Sequence, residues 1–125
     1  PIKSSAASDV YKRQILHNYL SNSGRDLIYE YINSLPEAEK IDGYTVLQHM
    51  EKGEFDKILF KRWEKKVYEV YFQKNNRVFY ITVDKENIYL LHSCRKQKNK
   101  TEKKDANIVR KRAKELGNML GRKFI

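Results

Sequence analysis

A small set of cations carries the chemistry open to this chain. Arg77 begins a strand-like run, and Arg95, Lys96, Lys98 and Lys100 crowd the loop after a later one. Lys and Arg supply most contacts to phosphate and dominate nucleic-acid affinity, so a sheet delivering them to one edge suits a phosphate-bearing partner. RNA is cut when its 2′-hydroxyl attacks the neighbouring phosphate. That step needs the group held in line, its added charge stabilised and two protons moved, and positioned cations supply much of this. A guanidinium grips two phosphate oxygens at once, so Arg77 is a candidate clamp; the plain alternative is a solvent-facing hairpin arginine. Glu69 and Tyr71 lie two apart on the preceding strand and so share a face. Glu69 reads either as a proton acceptor or as a salt-bridge partner of Arg77, and Tyr71 as a phenol able to stack on a base.

A second group, Lys61, Arg62, Lys65 and Lys66, flanks Trp63. The indole reads as a packing residue and the four cations as RNA contacts. Lys98 and Lys100 suit steering of RNA better than bond breaking. Arg95 and Lys96 are neighbours on an extended segment, so only one of them faces the same side as Arg77. His92 has an unperturbed pKa near neutrality and is a candidate acid or base, with a core histidine as the alternative. His17 and His49 have no Cys or carboxylate at ligand spacing, so no metal site is expected. No phosphate-cradling glycine loop occurs.

The charge is segregated. Residues 1–60 hold 7 Lys and Arg against 9 Asp and Glu, a net of −2, and residues 61–125 hold 19 against 7, a net of +12. Such asymmetry points to a nucleic-acid-facing half, although a basic surface also merely solubilises. The 125 residues suffice for one domain with a modest core. The single Cys94 allows no internal disulfide and fits a reducing cytoplasm. No apolar run approaches the roughly 20 residues that span a membrane.

The elements that must place these groups follow from periodicity. Residues 15–20 read as a strand, and 25–35 as a helix with Leu27, Ile28, Tyr31, Ile32 and Leu35 on one face. A second helix starts at Pro36 and runs to Met50 or Lys52, stopped by Gly53, with Asp42-Gly43 as a possible break. Residues 55–60 read as a connector. Strands follow near 67–73, 77–83 and 88–94, joined by turn-forming residues at 74–76 and 84–87. In the first of these, Tyr68, Val70 and Phe72 face the core, leaving Glu69 and Tyr71 outward. The last helix spans 103–120, with Ala106, Val109, Ala113, Leu116 and Leu120 as its stripe. The class is α+β: an N-terminal strand and helix pair packed on an antiparallel sheet, then a C-terminal helix.

Residues 1–14 lack an initiating Met, and Asp9 to Gln14 reads as the translation of a sequencing adapter. This segment is taken as non-native, leaving 15–125 as the single domain. A polar N-terminal arm is the alternative.

The order of elements and particular residues resemble the RelE/ParE toxin superfamily, most closely its HigB-like, phage-derived branch. Gly24 precedes the first helix, and Ser34, Leu35 and Pro36 join the helix pair. Residues 67–70 are similar to the branch's "lyEl" strand and Arg77 to Tyr80 to its "yRilY". Leu90, Leu91, His92, Arg95, Lys96, Lys100, Thr101 and Arg112 are similar to its ending, "LlH-x-F-x-K-K…K-T-p…A-x-x-R". The resemblance covers residues 15–120. It implies a RelE-like fold and a cytoplasmic type II toxin: a ribosome-dependent mRNA endoribonuclease without a cofactor. It implies mRNA, rRNA and a helix-turn-helix, HigA-like antitoxin as partners, with no role for a membrane. By resemblance, Lys96 stands where relatives carry a catalytic or phosphate-contacting cation, and Glu69 matches the branch's glutamate. Tyr71 replaces an arginine common in relatives and Glu102 replaces a Pro. A tyrosine that some RelE toxins carry beyond this loop has no counterpart. Two other functions stay open: a gyrase-poisoning ParE-like toxin, and a non-catalytic basic module that binds nucleic acid.

Overall fold

The computed structural model describes residues 13–96 and 100–125. Lys98, and all but the last two residues of the segment read as non-native, lie outside the described residues. The element order is β1 (Ile15–Asn18), α1 (Leu27–Asn33), α2 (Glu37–Glu51), a 3₁₀ turn (Phe55–Lys57), β2 (Leu59–Glu64), β3 (Val67–Phe72), β4 (Asn76–Thr82), β5 (Asn87–Arg95) and α3 (Lys103–Leu120). The strands form one sheet in the order β1-β5-β4-β3-β2, with β2 to β5 an antiparallel meander and β1 parallel to β5. This is the expected α+β arrangement, consistent with a RelE-like fold.

Helices cover both faces of the sheet. On the back face, α1 and α2 bury Ile28, Ile32, Val46 and Met50 against Val70, Phe72, Val78, Tyr80, Ile88 and Leu90. On the front face, α3 buries Val109, Ala113 and Leu116 against Val67, Phe79, Ile81 and Leu91. The predicted stripe of α3 is therefore its core face, except for Leu120, which is exposed at the end of the helix. Asp26 caps α1 by accepting from the Tyr29 amide at 2.9 Å.

Three expectations change. The connector at 55–60 is a 3₁₀ turn followed by the start of a six-residue edge strand, β2, whose residues Leu59 to Arg62 are all exposed. An edge strand open to water needs no apolar alternation, so periodicity could not find it. Helix α2 runs unbroken through Asp42 and Gly43. A Cβ at Gly43 would lie 2.9 Å from Cε2 of Phe72 and 3.2 Å from Cγ2 of Ile32, so glycine here lets the helix approach the sheet. Finally, Glu69 does not look out into water. It is fully buried on the front face, where Phe79 opposes it.

Candidate functional site

The register places the site. Tyr71 opposes Arg77 and Arg77 opposes Cys94, so Tyr71, Arg77 and Cys94 form one front-face row, with Lys96 just past the end of β5. Glu69 lies one step inward along β3. Its Oε1 is 2.8 Å from Nζ of Lys96 and 3.3 Å from Nε of Arg77. The angles of both approaches fall outside hydrogen-bond geometry, leaving an ion triad in which neither Glu69 oxygen has a hydrogen-bond donor among the described residues. Arg77 also stacks on the Tyr71 ring at 4.1 Å, and Lys61 stands over the same ring at 5.8 Å. Nη1 of Arg77 donates to the Asn76 carbonyl at 3.1 Å.

Burial divides the labour. The Lys96 side chain is 4% exposed and that of Arg77 15%. An ammonium so buried needs a carboxylate beside it, and Glu69 is that carboxylate. One negative and two positive charges leave the triad net positive. Arg77 presents that surplus to solvent, while Lys96 reinforces it through low-dielectric surroundings.

The neighbouring cation, Arg95, faces the other way. Its Nη2 donates to Glu39 Oε1 at 2.6 Å and its Nη1 to the Lys74 carbonyl at 2.9 Å, on the helix-pair side. Hydrogen bonding from Asn76, reinforced by Arg95, holds the Glu39 carboxyl below the usual carboxylate range. The predicted group around Trp63 also splits. Lys61 joins the front face beside Tyr71, whereas Arg62, Lys65 and Lys66 line a cleft of about 430 Å³ with Lys123 and Phe124. No salt bridge engages these four among the described residues. Lys123 escaped the sequence reading because it lies far along the chain. Trp63 packs against Phe79, donates to Thr101 Oγ1 at 3.1 Å and carries Arg110 over its ring. Lys100 is exposed.

His92 is a locking residue. Its Nε2 lies 2.8 Å from Asp105 Oδ1, and its Nδ1 faces Nη1 of Arg112 at 3.4 Å. A donor at Nδ1 puts the ring proton on Nε2, aimed at Asp105. Burial outweighs the Asp105 contact and pulls the imidazole pKa below its ordinary value. His92, Cys94 and Asp105 place their potential metal-ligand atoms within 4.8 Å of one another, a grouping that sequence spacing did not show. To ligate, Nε2 would have to shed its proton, and the Cys94 thiol would have to ionise although burial pushes it up to about 12. The three fit a strand-to-helix lock between β5 and α3 better than a metal centre.

The fold and site define a small α+β protein with a net-positive triad on the inner strands of its sheet and a helix pair on the opposite face. The family model for Phage derived protein Gp49-like (DUF891) matches residues 30–114, more than half of the chain, and the chain belongs to that family. It is a family of RelE-like toxins of toxin–antitoxin systems. No curated protein matches the sequence. Among the described residues, no helix is long and apolar enough to cross a membrane.

Proposed function

We propose that this chain is a HigB-like toxin that cleaves mRNA on the ribosome, with Arg77 as its phosphate clamp. The observation that carries the reading is the Glu69, Arg77 and Lys96 triad: two cations fixed on adjacent strand ends by one buried carboxylate. Arg77 grips the scissile phosphate and Lys96 adds positive potential from beneath, stabilising the charge that builds as the 2′-oxygen attacks. Glu69 anchors both cations, because its carboxylate is buried beneath them rather than open to a 2′-hydroxyl. Tyr71 steadies the guanidinium by stacking and offers its phenol edge to a base. Lys61 and Lys100 extend the positive track. Arg62, Lys65 and Lys66, joined by Lys123, hold rRNA phosphates away from the reacting bond. A cognate antitoxin of helix-turn-helix type completes the cytoplasmic system.

The test is to add the purified chain to translating ribosomes and map mRNA 5′ ends, with Arg77→Ala alongside. Cuts confined to the decoding site in the wild type and lost in the variant are expected. Intact mRNA with translation unaffected would overturn the nuclease reading and direct assays to gyrase.

A further inference from the structure

Behind the triad lies a polar network that the proposed chemistry does not use. Asn76 is fully buried. Its Nδ2 donates to Glu39 Oε1 at 2.9 Å and to the Gln73 carbonyl at 2.6 Å, and its Oδ1 accepts from the Tyr31 hydroxyl at 2.5 Å. Arg95 closes the network through Glu39 and the Lys74 carbonyl. Four elements therefore meet in one network: α1 through Tyr31, α2 through Glu39, β4 through Asn76 and β5 through Arg95.

The network grips a turn that needs gripping. Lys74 and Asn75 adopt φ of 62° and 64°, a left-handed conformation unfavourable for side-chain-bearing residues. Asp42 of α2 further ties this turn by accepting from the Gln73 amide at 2.9 Å. The Asn75 carbonyl in turn accepts from the Lys96 amide at 2.9 Å.

Alternation along a strand converts this back-face lock into front-face geometry. Asn76 and Arg95 oppose each other in register and face the helix pair. Their immediate successors, Arg77 and Lys96, face the other side and meet Glu69. We infer that Tyr31, Glu39, Asn76 and Arg95 are positioning residues that set Arg77 and Lys96 at phosphate-binding geometry from behind the sheet. Arg95 thus serves the site without touching RNA. The kinetic part of this inference rests on the nuclease reading; the geometric part does not.

Tyr31→Phe, which removes one hydrogen bond to Asn76, and Glu39→Gln, which removes the charge paired with Arg95, test it, since both leave the apolar packing in place. Two readouts are needed: ribosome-bound mRNA cleavage, and the Nε–Hε resonance of Arg77 by NMR without RNA. The expected result is kcat lower by at least about tenfold with KM within about twofold, together with a displaced, faster-exchanging Arg77 resonance. A lower melting temperature with kcat and the resonance unchanged would mark the network as merely structural and overturn the inference. So would Arg95→Ala raising KM with kcat intact, which would make Arg95 an RNA contact. If the wild type cuts no RNA, the nuclease reading fails, and the Arg77 resonance alone then decides the positioning role.

Discussion

Two groups of cations on this molecule differ in how they are held. Buried Lys96 and partly buried Arg77 are held around one carboxylate, with Arg77 stacked on Tyr71 and tied to the Asn76 carbonyl. Arg62, Lys65, Lys66 and Lys123 ring an open cleft, and no salt bridge engages them among the described residues. Both groups attract phosphate. Only the first has its geometry fixed before a ligand arrives, which is what transition-state stabilisation requires. The second suits affinity and encounter, which depend on charge more than on angle. Similar residue types therefore do different work according to the partners the fold gives them.

Breaking the triad should give the largest effect on folding. Glu69→Ala leaves buried Lys96 without its carboxylate and facing the Arg77 guanidinium, and a cost of about 3–5 kcal/mol is expected in urea unfolding. Lys66→Ala, at the open cleft, should stay within about 0.5 kcal/mol. Equal losses would erase the distinction between the two groups. The next effect concerns salt. Replacing Arg62, Lys65 and Lys66 together by Ala should flatten the slope of log affinity for single-stranded RNA against log salt by about 2, from three lost phosphate contacts. The positions of mRNA cuts should not move. An unchanged slope would show that these cations meet no RNA.

The smallest effect is in pH. The folded His92 pKa lies below the unfolded value near 6.5, so the unfolded chain binds the extra proton first. Stability from this site is complete above about pH 6.5 and is lost as pH falls through the lower, folded value. His92→Gln should remove that portion of the pH dependence in thermal melts while leaving cleavage at neutral pH nearly intact. A loss of cleavage comparable to that of Arg77→Ala would move His92 from lock to catalyst.

The sequence made some of this legible and hid the rest for physical reasons. Strands β3 to β5 are buried on both faces and helix α3 on one, and their apolar residues announce them. The edge strand β2 lacks that pressure and reads as a connector. Arg77, Glu69 and Lys96 were recognisable as individuals, and their resemblance to a family pattern singled them out. That Glu69 is buried beneath both cations depends on strand register and on the cover that α3 provides, neither of which a local window contains. The network behind them was invisible, because Tyr31, Glu39, Asn76 and Arg95 come from four elements and join only in the fold. Lys123 entered the second cation group the same way, brought to the β2–β3 turn by the Lys66 amide donating to the Phe124 carbonyl at 3.2 Å.

The most direct test compares the two cation groups in the reaction itself. Single-turnover cleavage of ribosome-bound mRNA at saturating protein would be timed for the wild type, for Arg77→Ala and for the Arg62, Lys65 and Lys66 triple alanine variant. The fixed-triad account predicts a loss of at least about a hundredfold for Arg77→Ala and a change within about threefold for the triple variant. Comparable losses in both, or full activity in Arg77→Ala, would contradict it.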